Sequence, residues 1–485
     1  MFFFLLHFLY DIIKATKKIK GRKSLTDSEN MIYNLVCDYY ETRILMGACR
    51  YGELLPSISK IGESFQMAPR TVRAAFSRLE EKGYIRIESR KAAKVIYQVN
   101  DERINENAAL YFVPRREGMV DFCHSGRLLI EPIWEYAQGS LDQETWGRLK
   151  QKLAQAANVD LSVSTRLHIY AFAALQNKLI LNFYWELLRY IRFPYLSGYD
   201  AHRERDRELL THGEENDTVF MRAAFEEDFG RGLKRLLAFC SQAEERYGLK
   251  GREQIPFRWS VYRQRPQLCY TLVSRIIFEI IKGTYPIGSF LPSLPTMSEQ
   301  LDVSYRTLRR AVSILNSLGI IHSYQGKGSR VLMTTGSIDF QRPEIREGFR
   351  LYRDSLQFMA LTVRPVFLYT LEHVEPEERQ RLAEKFADIV NRHKCQYCFK
   401  LAIDFIRSQC PLATVRECYV RLEEFLVWGY PFVLYRAGEQ RLQEEYAQMT
   451  WAAAEYLKKG QWEKFADHWK ELMEREYEKA GVMLF

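Results

Sequence analysis

The sequence predicts a mainly α protein with small β wings, in which two three-helix units, each closed by a hairpin, alternate with two all-helical domains. Three observations predict this: an ungapped internal repeat, helical spacing of apolar residues over most of the chain, and β-branched pairs confined to the end of each repeat. Residues 31–96 and 267–332 align at a constant shift of 236. The paired positions include Gly47/Gly283, Gly52/Gly288, Leu55-Pro56-Ser57/Leu291-Pro292-Ser293, Glu63/Glu299, Arg70-Thr71/Arg306-Thr307, Arg73/Arg309, Ala75/Ala311, Leu79/Leu315, Gly83/Gly319 and Lys91/Lys327. Turn residues, helix-core residues and arginines are kept together, as expected when one supersecondary unit is made twice.

Local rules give the elements of that unit. In the second copy Leu272, Ile276, Ile277, Ile280 and Ile281 recur at helical spacing, and Gly283 stops the run. Tyr285-Pro286-Ile287-Gly288 reads as a turn. Leu291-Pro292-Ser293 opens a short second helix, with Ser293 as its N-cap and Met297 and Leu301 on its apolar face. Ser304 caps a third helix whose inward face is Leu308, Ala311, Val312 and Leu315, and Gly319 ends it. Ile320-Ile321 and Arg330-Val331-Leu332 then flank Gly326-Lys327-Gly328, the tip of a hairpin. Helix, turn, helix, turn, helix and hairpin is the winged-helix order.

The chemistry lies on the third helix and the hairpin tip. Ser304, Tyr305, Arg306, Thr307, Arg309 and Arg310 occupy its cap and first two turns, the part of a recognition helix that meets base edges in the major groove. An arginine fork bonds two acceptors of guanine and neutralises phosphate. Arg70, Thr71 and Arg73 hold the same places in the first copy, and Arg90 and Lys91 stand at its wing, as Gly326, Lys327 and Gly328 do at the second. Arginines on a short helix also serve merely to solvate its outer face. Their matched placement in both copies, with the wing lysine retained, favours a polyanion.

These residues resemble the DNA-binding domain of the GntR family of bacterial transcription regulators. The resemblance rests on Leu291-Pro292-Ser293, on Ser304-Tyr305-Arg306-Thr307-Leu308-Arg309-Arg310-Ala311 and on Gly326-Lys327-Gly328-Ser329. It implies binding to double-stranded DNA. The first copy departs from the pattern at Ala68-Pro69, where proline suits a first helical position, and at Ser89-Arg90-Lys91-Ala92, a wing without glycines. Ser59 and Pro295 stand where many members of that family carry an arginine.

Charge agrees. Residues 31–96 hold 11 Lys+Arg against 7 Asp+Glu, and residues 267–332 hold 7 against 3, so each copy is +4 in a chain of net charge +9. A basic surplus concentrated in two short units is the electrostatic footprint of polyanion binding. At 485 residues with 47% hydrophobic content the chain is long enough for several packed domains. Nine cysteines without a secretory pattern predict a reducing cytoplasm. Cys395 and Cys398 form the only close pair. Cys410 and Cys418 would complete four ligands, but the first half has no matching cysteines, and neither metal nor cofactor is expected. Met1–Tyr10 is nearly all apolar and is followed by Lys14, Lys17, Lys18, Lys20, Arg22 and Lys23. It is too short for a bilayer, which needs roughly 20 apolar residues, and its charge order is the reverse of a signal peptide. An interfacial anchor, a helix packed on another domain and an over-extended start all fit it.

Long helix-rich segments follow each winged helix. Leu179, Leu181, Tyr184, Leu187, Leu188 and Ile191 recur at helical spacing in the first, and Leu382, Phe386, Ile389, Val415, Tyr419, Leu422, Phe425 and Leu426 in the second. They too pair: Arg116-Glu117-Gly118 with Arg346-Glu347-Gly348, Arg148-Leu149 with Arg381-Leu382, and Pro194 with Pro431, at shifts of 230 to 237. The expected division is an N-terminal extension over 1–24, winged helices over 25–99 and 256–336, and helical domains over 105–255 and 340–485.

The helical segments are similar, more weakly, to the effector domain of the FadR-like branch of the same family, through Leu167-His168 with Ala174-Leu175-Gln176-Asn177-Lys178-Leu179 and through Ala452-Ala453-Ala454-Glu455-Tyr456 with Lys459-Gly460-Gln461-Trp462. That branch includes domains with a metal on one aspartate and three histidines. Here Ser164, Asp404 and Thr450 stand at three of those places, so no metal is expected. Polar residues on these helices that would orient a small-molecule effector are His168, Asn182, Tyr184 and Arg189 in the first domain and Asp404, Arg407, Arg416 and Tyr419 in the second. For each, an exposed face of an amphipathic helix is the plainer reading.

The function expected is a sequence-specific transcription regulator, more often a repressor in such families. It would act as a homodimer, or as a pseudo-dimer within one chain on an asymmetric operator. An enzyme finds no support, for there is no lysine-centred cofactor segment, glycine-rich phosphate loop or nucleophile elbow. A docking protein built on winged helices that have lost DNA is the rival.

Overall fold

A computed structural model of the protein describes residues 33–65, 67–89, 91–142, 144–148, 151, 163–192, 217–259, 265–333, 338–437 and 439–482. In the first copy of the repeat, α1 (Tyr33–Leu45), α2 (Ile58–Ser64) and α3 (Pro69–Glu81) precede β1 (Ile85–Arg86) and β2 (Lys94–Val95). Val36, Tyr40 and Ile44 of α1 and Val72, Ala75, Phe76 and Leu79 of α3 are buried against one another, with the rings of Tyr40 and Phe76 edge-on at 5.8 Å. The strands pair antiparallel, Ile85 with Val95 and Arg86 with Lys94.

The first helical segment contributes α4 (Asp101–Phe112), α5 (Arg116–Leu129), α6 (Glu131–Ser140), α7 (Val163–Ala174), α8 (Lys178–Tyr190) and α9 (Asp217–Arg246). The second copy of the repeat then forms α10 (Arg265–Ile281), α11 (Leu294–Leu301), α12 (Tyr305–Ser317), β3 (Ile321–Tyr324) and β4 (Gly328–Val331). The second helical segment holds α13 (Pro343–Glu372), α14 (Pro376–Asn391), α15 (Cys398–Gln409), α16 (Ala413–Leu426), α17 (Gly429–Ala437), α18 (Glu439–Lys458) and α19 (Trp462–Val482). The fold is therefore mainly α with small β wings, as the sequence predicts. No helix among the described residues is long and apolar enough to cross a membrane.

The glycines shared by the repeat have one physical cause. Gly52 and Gly288 sit at φ +88° and +90°, and Gly83 and Gly319, which follow α3 and α12, at +77° and +71°. A side chain is strained in that left-handed region, so the turns at matching places in both copies require glycine.

The 30-residue α13 is the central support of the helical part. It packs along α19 and against α16 of its own half, and also meets α5, α6 and α8 of the other half. Being covered on several sides, it buries Phe349, Leu351, Leu356, Phe358, Met359, Val363, Val366 and Phe367 around much of its circumference.

Polar contacts across the seam between the halves are reciprocal. Asp121 of α5 accepts from the amides of Ala413 and Thr414, the start of α16, at 2.6 and 2.9 Å. Asp354 of α13 accepts from the amide of Lys178, the start of α8, at 3.1 Å. Each half thus supplies a carboxylate to the N-terminus of a helix in the other, where four amides lack partners and the helix dipole favours negative charge. Asn177 caps α8 through Leu179 and Ile180, both at 3.0 Å, and its amide group donates to Asp354 O and Gln357 Oε1, both at 2.9 Å. The Gly118/Gly348 pair is explained as well. A Cβ on Gly118 would lie 1.9 Å from Tyr190 Oη, and one on Gly348 would lie 2.1 Å from the Trp428 ring.

Candidate nucleic-acid interface

Ser304 fixes where α12 begins. Its hydroxyl accepts from the Thr307 amide at 3.2 Å and shares a hydrogen bond with Thr307 Oγ1 at 2.7 Å. Leu308, Ala311, Val312, Ile314 and Leu315 are buried against the rest of the unit. Helical spacing then leaves Tyr305, Arg306, Arg309 and Arg310 exposed and Thr307 half-buried. Arg306 and Arg309, three residues apart, share a face, and neither has an ion pair among the described residues. Arg310 lies 3.8 Å from Glu344 in the first turn of α13, so it faces the helical domain.

In the first copy Pro69 occupies the first helical position of α3, and Ala68 offers no capping side chain. Val72, Ala75, Phe76 and Leu79 face inward; Arg70 and Arg73 are exposed and Thr71 is half-buried. Arg70 and Arg73 likewise have no ion pair among the described residues. The arginine positions of the two helices are thus presented alike.

The wings differ. β3 and β4 pair over four residues, from Ile321 with Val331 to Tyr324 with Gly328, and the tip turns through Gly326 at φ +73° and Gly328 at +98°. Lys327 is exposed at that tip. β1 and β2 pair over only two residues, and Lys91 forms a 2.7 Å ion pair with Glu88. Hydrogen bonding to that carboxylate raises the Lys91 pKa, and the same interaction lowers that of Glu88. Arg90 lies outside the described residues.

One functional pairing escapes sequence reasoning. Asn316 near the end of α12 accepts from the Ser323 amide at 2.9 Å and donates to Ser323 Oγ at 2.8 Å, tying the helix to its wing. At the matching place Glu80 of α3 accepts from the Ile87 amide at 2.7 Å. Asparagine and glutamate look unrelated as residue types, yet both present a carbonyl-type acceptor to the backbone amide at the matching position of the wing. Matched acceptor chemistry, not identity, was the available signal.

The polar residues of the helical domains are placed in several settings. His168 and Tyr184 come together: their rings stack at 5.6 Å, with Trp134 at 4.4 Å and Phe172 at 5.7 Å from the histidine. Burial raises the Tyr184 pKa well above its ordinary value. Asn182 accepts from Trp259 Nε1 at 2.8 Å. Arg189 pairs with Asp38 of α1 at 2.6 Å and with Glu186 at 3.0 Å, joining the helical domain to the first winged helix. In the other half Asp404 bonds Lys400 at 2.9 Å and Arg407 at 3.3 Å, and Arg407 also bonds Glu423. Arg416 donates to the carbonyls of Cys410 and Pro411, and buried Tyr419 shares a 3.0 Å hydrogen bond with Thr362. The structure does not gather these eight residues into one site.

Cys395, Cys398, Cys410 and Cys418 are buried, and burial raises each thiol, Cys398 to about 12. Cys37, Asp38 and Glu41 bring ligand-type atoms within 4.8 Å, but Asp38 is engaged by Arg189 and Glu41 by Lys82 and Tyr84.

Residues 32–95 and 270–331 each match the model of the bacterial regulatory proteins of the gntR family. The chain carries two gntR-family domains. At the level of the family these are domains of DNA-binding regulators of transcription. Among solved structures the chain is similar to a GntR protein of Streptococcus agalactiae, at 16% identity over 43% of this chain and 99% of that one, with a TM-score of 0.18. A second similar structure, titled as showing that Lar controls the expression of the Listeria monocytogenes agr system and mediates virulence, has 13% identity over 44% of this chain and 96% of that one, with a TM-score of 0.21. No curated protein matches the chain.

Proposed function

We propose that this protein is a cytoplasmic, sequence-specific repressor of transcription whose two gntR domains address one operator from a single chain. The observation that carries this reading is the matched exposure of Arg70/Arg73 and Arg306/Arg309 on two equivalent helices, each outside its packed core. Ser304, Tyr305 and Thr307 would approach base edges with those arginines, and Lys327 between Gly326 and Gly328 would reach the adjacent backbone. In such a pseudo-dimer the helical domains take the part of a subunit interface, and the reciprocal Asp121 and Asp354 hydrogen bonds support that arrangement. Because Ala68, the short first wing and the Lys91–Glu88 pair have no equal in the second copy, the operator is asymmetric. The division into winged helices over 25–99 and 256–336 and helical domains over 105–255 and 340–485 belongs to the same proposal. So does effector sensing, for which the aromatic surroundings of His168 and Tyr184 are the best supported place.

Substitution of Arg306 and Arg309 by alanine tests the reading. DNA affinity falls, and the slope of log affinity against log salt becomes shallower by about 0.9 for each phosphate that is no longer neutralised. Unchanged affinity and slope would instead favour winged helices that dock on protein.

A further inference from the structure

The segment between the first helical domain and the second winged helix is built into both helical halves. Gln254 donates to Val113 O and accepts from the Glu117 amide, each at 3.1 Å, and Ile255 O accepts from the Tyr190 hydroxyl at 2.6 Å. Those bonds hold it to the first half. Four residues beyond Ile255, Trp259 reaches the second. Its indole is 1% exposed, with ring centroids 4.8 Å from Phe183 of α8 and 5.7 Å from Phe358 of α13. Its Nε1 donates to Asn182 of α8, while its backbone amide donates to Glu417 of α16 at 3.1 Å. Arg258 pairs with the other Glu417 oxygen at 3.0 Å.

A segment that merely connects domains runs over the surface and exchanges its hydrogen bonds with water. This one buries a tryptophan in the seam and completes a buried carboxylate of the far half. The winged helices are fastened to these halves in turn. Arg189 holds Asp38 on one side; on the other, Trp428 Nε1 donates to Tyr270 O at 3.2 Å, and Lys400 lies over the Phe278 ring. Whatever fixes the halves therefore fixes the reading helices.

We propose that residues 254–259 form a strap and that Trp259 is a positioning residue, setting one separation of the gntR domains so that a single chain accepts half-sites at one spacing. The spacing part rests on the DNA reading above; the strap part does not. Two measurements on the full chain separate them. Hydrogen exchange is followed at the amides of Lys178, Ala413 and Thr414, which bond across the seam. Trp259→Ala speeds it by about tenfold or more, as expected when a local opening loses support, and Trp259→Phe, which retains a ring, much less. DNA affinity is then measured across operators with graded spacers. The unaltered chain prefers one spacer, and Trp259→Ala flattens that preference more than it lowers the best affinity. If Trp259→Ala fails to fold, Asn182→Ala keeps the ring, removes the Nε1 partner and shifts both readouts in the same direction. Unchanged exchange at all three amides overturns the strap. Faster exchange with an unchanged spacer preference overturns the spacing role, and a chain that binds no duplex at any spacer overturns the DNA reading while the exchange result still judges the strap.

Discussion

Ser304 and Ala68 stand before equivalent helices with nearly the same backbone, φ −63°, ψ 143° and φ −63°, ψ 141°. They differ by one hydroxyl. Ser304→Ala is expected to cost about 1 kcal/mol of stability in urea unfolding, the usual worth of an N-cap. Ala68→Ser should stabilise by only about 0.5 kcal/mol, at the low end of the cap range, since the Thr71 amide already donates to Ala68 O at 2.9 Å. Asp354 gives a test by pH. Burial raises its pKa from 3.8 to about 7, against the lowering effect of the Lys178 amide. The folded state therefore binds the proton more tightly than the unfolded chain. The stabilisation is complete below about pH 4 and is lost as pH rises through 7. Asp354→Asn should remove that slope between pH 4 and 7 in denaturation curves; an unaltered slope would assign it to another group.

At the scale of elements, most of the winged helices was legible in the sequence because their turns demand glycine and their helices carry periodic apolar faces. The start of α12 at Ser304, the stop at Gly319 and the wing tip at Gly326 each follow from a local rule. What was not legible depends on partners far along the chain. Arg189 on a helix looks the same whether it faces a ligand or a carboxylate, and its partner Asp38 is 151 residues away. The cap of α16 is invisible locally, because Leu412 precedes that helix and the acceptor is Asp121 on another half. The Gly118/Gly348 pair was visible as a repeat, but its cause, an aromatic ring seated on each glycine, is tertiary. Gly118→Ala and Gly348→Ala should each destabilise by about 1–3 kcal/mol, the cost of overpacking. Thermal or urea unfolding of the two variants checks this, and wild-type stability in either would show that its ring is free to move aside.

For the whole molecule, the duplication and the seam act together. In the proposed pseudo-dimer one chain holds two units that separate subunits would otherwise bring, and the geometry of reading would be set by intramolecular packing and not by protein concentration. Selection of bound duplex from a random pool by the purified chain is the most direct test. The expected outcome is an enriched site with two unlike half-sites about one helical turn, or ~34 Å, apart, occupied by one chain per duplex. A palindromic site holding two chains, or a pool that shows no enrichment, would contradict it.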